Sequence, residues 1–320
     1  MPPTLDGKIL GNKKGLKMKK YISPALLILA AAIWGFAFSM QKSAEGVPPF
    51  TLGALRSIIA AVFLFAVIPF SSKLSDTGAD VSAKSRPLFT KGELIGGLLC
   101  GAVLATATFF QQAGIASGVD AGKASFITSL YVIFVPVYYL FLKRRAPVNI
   151  WISIVIAAVG FYLLCINGSF GISSEDLTVL VCSLLFPLHI MFIDHYVKTC
   201  DPIRLSIVQF LSGAVINLIF ALIFDPAPSM SVILPALPAI IYLGIMSSGV
   251  AYTLQMIGQK GTAPWAATII LSLESVFGVL GGALLLGEVL SVREYVGCAV
   301  IFVAVLLSQL DFTSIVKKSK

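Results

Sequence analysis

One carboxylate stands near the middle of the stretch ILSLESVFGVLGGALLLGE, residues 270–288. It is Glu274, and no other full charge occurs between Lys260 and Glu288. An ionised side chain deep in an apolar helix costs roughly 2.5–3.5 kcal/mol on insertion scales, so the group must face protein or water and be protonated or paired. Such a carboxyl can exchange a proton or hold a cationic part of a ligand. The alternative is a structural carboxyl, hydrogen-bonded to a neighbouring helix. Arg56 is the second charge inside an apolar run, about 9 Å from the end of its helix at 1.5 Å per residue. Its planar fork suits a carboxylate or phosphate, or its head snorkels outward with the stem along the helix. Gln112, Tyr131, His189 and Gln255 add hydrogen-bonding groups within apolar runs, and Trp34 adds an amphipathic ring. Singly, each reads as an interhelical contact. Together they argue against a dry bundle.

The elements that hold these residues follow from composition. Of 320 residues, 58% are hydrophobic and 12% charged, against about 25% charged in an ordinary soluble domain. A helix needs about 20 apolar residues to cross a bilayer, and such runs occur near 24–41, 50–70, 93–115, 121–142, 148–166, 176–195, 203–224, 234–257, 263–286 and 293–310. Irregular backbone cannot face lipid, so the pattern predicts an all-α polytopic membrane protein of ten transmembrane helices. Lys and Arg in the connections divide nineteen to three between the two sides, with Arg56 inside a span. The lysine-rich side is cytoplasmic by the positive-inside rule, which puts both termini there and the chain in the cytoplasmic membrane. The net charge of +8 is this topology signal plus affinity for anionic lipid, and implies no nucleic-acid partner. No A-x-A-like site follows the first apolar run, so the basic start reads as a retained tail. Met18, followed by Lys19 and Lys20, reads as an alternative first residue.

The chain also repeats itself. At an offset of 143 residues, Gln112 falls on Gln255, Ser129-Leu130 on Ser272-Leu273, Tyr131 on Glu274 and Phe134 on Phe277. More faintly, Trp34-Gly35 falls on Phe186-Pro187, and Arg56 on Gln209. Each unit then holds five helices, and an odd number inverts the second unit in the membrane. Two inverted five-helix repeats are a common plan of secondary transporters, with the substrate site at the repeat interface near the midplane. The units are a basic tail over 1–22 without regular structure, a first repeat over 23–167, a second over 173–310 and a basic tail over 311–320.

The segments AAIWGFAFSMQKSA (31–44), PPFTLGALRSIIAA (48–61) and SLESVFGVLGGALLLGEVLSVREYVG (272–297) resemble EamA-type transporters of the drug/metabolite transporter superfamily. The resemblance runs from about 24 to 310 as two EamA units. It implies ten helices, a central cavity and movement of small metabolites. The family's glutamate after the ninth helix is present as Glu288, but its first-repeat counterpart is Arg145, so that position is left out of the mechanism.

The expected function is a secondary transporter of a small organic metabolite, an amino acid or related compound or a drug-like solute, working by alternating access with protons as the candidate coupling ion. A membrane-embedded enzyme or a non-transporting sensor or channel is the alternative. There is no HExxH, GxSxG or Walker motif and there are two histidines, so no catalytic, metal or cofactor residue is assigned. Pro136 and Pro187 are expected to break their helices. Lys123 reads as an interfacial anchor, and Asp194 and His195 as water-facing. Five cysteines without a CxxC pair read as small apolar fillers. Glycines at four-residue spacing, Gly92, Gly96, Gly97 and Gly101, then Gly278 and Gly282, suit close helix packing or a homodimer contact.

Overall fold

A computed structural model describes residues 5–74, 87–165, 173–287, 291–308 and 310. Glu288 and the terminal tail 311–320 lie outside them. The described chain is helical: α1 Leu5–Ser43, α2 Pro49–Leu74, α3 Lys91–Ala116, α4 Ala121–Ser129, α5 Tyr131–Phe141, α6 Val148–Cys165, α7 Ser174–Tyr196 and α8 Pro202–Phe224. There follow α9 Met230–Tyr242, a π-helical stretch Leu243–Ala251, α10 Tyr252–Gln259, α11 Pro264–Leu271, α12 Glu274–Leu286 and α13 Val292–Ser308. The helical backbone of α1 reaches back to Leu5, where the sequence suggested an irregular tail. Lys, Leu and Met are good helix formers, and no proline stands between Leu5 and Pro24.

Among the described residues eight stretches are long and apolar enough to cross a membrane: Ile22–Ser43, Pro49–Pro69, Lys91–Ala116, Ala121–Phe141, Ser174–Tyr196, Pro202–Phe224, Met230–Gln259 and Pro264–Leu285. Two further apolar helices, Val148–Leu163 and Tyr295–Ser308, are shorter. The outer faces carry large apolar side chains, among them Val62, Leu98, Val155, Leu222, Ile223 and Leu284. A surface of that kind needs lipid around it, because soluble monomers rarely expose contiguous apolar area beyond a few hundred Å².

Helix ends are fixed by local chemistry. Thr90 and Glu93 form a reciprocal capping box on α3, and Ser173 and Asp176 form one on α7. Pro202 and Pro264 open α8 and α11 where no intrahelical donor is needed. Gly287, with φ of 71°, closes α12 in the left-handed region. Two carboxylates reach between halves of the chain. Asp225 accepts from the backbone N–H and hydroxyl of Thr51 at 2.7 and 2.8 Å, and Glu93 accepts from the N–H of Asp201 at 3.1 Å. Each satisfies an orphan donor at a helix start.

The packing comes in pairs. α1 lies against α11 and α12, as α7 lies against α4 and α5. α3 packs on α7 and α8, while α10 and the π-helical stretch pack on α1, and that stretch also packs on α2. α2 meets α8, and α6 meets α13. The glycine face of α3 is used inside this bundle: Gly96 faces the Tyr196 ring, Gly97 faces Val208, and Gly101 faces the backbone of Gln209. That face serves internal packing, so it is not free for a homodimer contact.

Candidate functional site

Two helices are interrupted at mid-length, each at a Ser-Leu pair. The first interruption is at Leu130, between α4 and α5; the second is at Ser272-Leu273, between α11 and α12. At the second, the Leu273 N–H donates to the Ile270 carbonyl at 3.1 Å, and the Ser272 hydroxyl donates to the Ile269 carbonyl at 2.8 Å. At the first, the Leu130 N–H donates to the Ile127 carbonyl at 3.2 Å. These i to i−3 bonds tighten the turn as in a 3₁₀ segment. Proline is not the common cause. Pro136 lies inside α5, Pro187 lies inside an unbroken α7, and α12 has no proline at all. The two breaks touch: Ser129 Oγ stands 2.5 Å from Ser275 Oγ and donates to Glu274 Oε1 at 3.4 Å.

Glu274 is therefore the first residue of a half-helix deep in the bundle, 4% exposed. Tyr131 is the first residue of α5 in the same way, and its hydroxyl is turned towards the Glu274 carboxyl.

Both lie on one cavity with about 500 Å³ of empty space, part of it open to solvent. Trp34, Phe38 and Gln41 of α1, Arg56 of α2, and Thr108 and Gln111 of α3 form part of its wall. Thr128, Tyr131, Phe186, His189, Ser247, Tyr252, Gln255 and Glu274 continue it. Of the residues expected from sequence, Glu274, Arg56, Trp34, Tyr131, His189 and Gln255 meet here.

Gln112 does not line the cavity. It bonds the Gln41 carbonyl at 3.5 Å, and its neighbour Gln111 lines the cavity instead, bridging Gln41 and Thr128 with bonds of 3.0 Å each. Adjacent helical residues point about 100° apart, so the two side chains reach different surroundings although both neighbour Thr108.

Arg56 does not snorkel. It is 8% exposed, and its Nε and Nη2 donate to the hydroxyls of Ser248 and Ser247, each at 2.9 Å. Both serines sit in the π-helical stretch, whose widened turn turns two consecutive hydroxyls towards one guanidinium. No carboxylate forms an ion pair with Arg56 among the described residues. Trp34 Nε1 donates to the Ser247 carbonyl at 3.1 Å, and its ring lies 4.6 Å from that of Tyr252. His189 Nε2 pairs with Gln209 Oε1 at 2.8 Å, leaving His189 Nδ1 without a partner, as is Gln255 Oε1. Two partnerless polar atoms of residues lining one cavity suit a ligand that supplies the missing bonds.

Sequence reasoning missed Gln41, Gln111, Thr128, Ser247, Ser248 and Tyr252. The signal was there as polar or aromatic pairs three apart, Thr108 with Gln111 and Tyr252 with Gln255, which share a helix face. Two further readings are refined. Lys123, read as an interfacial anchor, is also an ion-pair partner of Asp176 at 2.6 Å, tying α4 to α7. Asp194 is buried, accepting from Tyr139 and Lys198 at 3.0 Å each, so it does not meet water, whereas His195 is exposed.

An apolar-surfaced helical bundle around a mixed-polarity cavity defines a multi-pass membrane protein. The chain belongs to the EamA-like transporter family, whose model matches residues 22–166 and 173–310, and so to the drug/metabolite transporter superfamily. It is similar to an uncharacterized transporter of Archaeoglobus fulgidus, 28% identical over 305 residues covering 94% of this chain and 89% of that one. It is also similar to the uncharacterized transporter YoaV of Bacillus subtilis, 24% identical over 295 residues covering 90% and 96%. A solved crystal structure shares the fold with a TM-score of 0.69 at 18% identity, covering 89% of this chain and 96% of that one. The protein is a membrane transporter.

Proposed function

We propose that the protein is a secondary transporter that moves a small organic metabolite across the cytoplasmic membrane by alternating access. The substrate class is an amino acid or related compound, or a drug-like solute. The observation that carries this reading is the cavity walled by two helices that break at equivalent Ser-Leu pairs. Discontinuous helices at mid-membrane are a recurring way of building a solute site in carriers. The paired packing described above supports ten spans in two inverted five-helix units. Rocking of one unit against the other opens the cavity to alternate sides. Glu274 carries the coupling proton, because its surroundings change between dry and wet as the cavity opens.

In proteoliposomes, a metabolite that stabilises the purified protein against heat is expected to show saturable exchange in both directions. Stabilisation without any exchange would point to a sensor. Arg56→Lys replaces a fork with a point charge and cannot hold both serine hydroxyls in the same geometry. Losing one charge-assisted bond weakens substrate roughly tenfold or more, read as a raised KM for exchange. Unchanged kinetics would remove Arg56 from the substrate site.

Both termini are on the cytoplasmic side in this reading. Cysteines introduced into 167–174 or 226–232 are expected to react with an impermeant maleimide added to intact cells. Those introduced into 73–90 are expected to react only after lysis, and outside labelling there would overturn the orientation.

A further inference from the structure

The repeat-equivalent residues Arg56 and Gln209 face one small side pocket. It is a narrow pocket between α2, α3 and α8, with about 270 Å³ of empty space, part of it open to solvent, and Ser57, Gly101, Thr108 and Gly213 complete most of its wall. The pocket meets the main cavity at Arg56, Thr108 and Tyr252, which line both. Gln209 is fully buried; its Oε1 is taken by His189, and its Nε2 has no partner. Arg56 commits two N–H groups to serine hydroxyls, while a guanidinium carries five. The pocket thus holds one fixed positive charge, spare guanidinium donors and a stranded amide donor, with no acid on its wall.

We infer that this side pocket is the subsite for a carboxylate of the transported solute, whose remainder occupies the main cavity on the Glu274 side. The inference rests on reading the main cavity as the solute site. Two spare donor sets around one charge fit a planar monoanion with two oxygens. A phosphate carries about two negative charges at neutral pH and needs a second cation, and Arg56 alone supplies charge on this wall. The amide of Gln209 also explains why an uncharged residue stands opposite the arginine: a second cation there would have to be desolvated, whereas an amide donor only needs an oxygen to bond.

The test uses the full-length protein in detergent and small fragments as probes. Sodium acetate, acetamide and inorganic phosphate are titrated at constant ionic strength while the unfolding temperature is followed. Acetate is expected to raise it saturably, and acetamide and phosphate are not. Gln209→Leu should weaken the apparent acetate affinity roughly tenfold by removing a donor to a charged group. Gly213→Ala is the second variant. Its added Cβ would stand 3.6 Å from Ser57 Oγ and 3.9 Å from the Gly101 carbonyl, ordinary contact distances. It therefore occupies the pocket without strain and should unfold at the parental temperature when unliganded, yet lose the acetate response. An equal shift with acetamide or phosphate, or a full acetate response in a normally stable Gly213→Ala, would overturn the subsite. Acetate binding with no solute exchange would count against transport alone. Saturable exchange of a solute lacking an acid, with no acetate response, would count against the subsite alone.

Discussion

Proteoliposomes containing Glu274→Gln are expected to exchange substrate at both faces yet accumulate none against its gradient when a pH gradient is imposed. Glutamine keeps the shape of a neutral carboxyl and can still accept from Ser129, the partner that Glu274 has at 3.4 Å. It sits equally well at the first turn of α12 and adds no buried charge, so insertion and folding should be unaffected. What it cannot do is take up or release a proton. If Glu274 is the coupling group, the substrate gradient and the proton gradient separate, and internal and external substrate concentrations equalise while counterflow continues. A structural carboxyl predicts the opposite, since glutamine would serve as well as the parent residue. Uphill accumulation by Glu274→Gln at the parental level would therefore leave Glu274 as a packing residue between the two helix breaks. The measurement separates the two roles because both versions bind the same neighbours.

The scaffold was legible because a bilayer imposes length and apolarity on every crossing. Runs such as 93–115 and 203–224 lie within Lys91–Ala116 and Pro202–Phe224. The Ser-Leu pairs were visible as a repeat, but their consequence was not, because one tightened turn leaves no mark in hydropathy; only at Ser272 does the hydroxyl assist it. Proline drew the breaks to Pro136 and Pro187, whereas one missing N–H in a long apolar helix is absorbed without interrupting it. The phase of a polar residue was harder to read than its presence. Gln111 and Gln112 are the same chemistry one position apart, and only the rotation of α3 against α7 and α8 selects Gln111. Arg56 was left open for a related reason: its partners Ser247 and Ser248 are some 190 positions away, and a widened helical turn aims both at it. Charge alone leaned slightly towards snorkelling.

Gly35→Ala is expected to lower the unfolding temperature and to depress transport by more than the loss of folded protein explains. The cause is the closest approach of α1 to α12. A Cβ on residue 35 would overlap the side chain of Phe277 and stand 2.6 Å from its carbonyl carbon and 2.7 Å from the Gly278 nitrogen. Two of those atoms are backbone and cannot rotate away, so the helices must separate. Overpacking of this kind costs about 1–3 kcal/mol, partly offset by the better helix propensity of alanine, about 1 kcal/mol. The displaced elements are those that shape the cavity. Trp34 precedes the substituted residue and is held to the Ser247 carbonyl and the Tyr252 ring. Glu274 lies one turn before Phe277 on α12. Gly46→Ala is the matched control, because its Cβ would meet only Val232 Cγ1 at 3.5 Å, an ordinary contact. Unfolding temperature and initial exchange rate, normalised to folded protein, should fall for Gly35→Ala and hold for Gly46→Ala. A Gly35→Ala protein as stable and active as the parent would show that α1 and α12 can part without disturbing the site, and that Trp34 and Glu274 are not positioned by that contact.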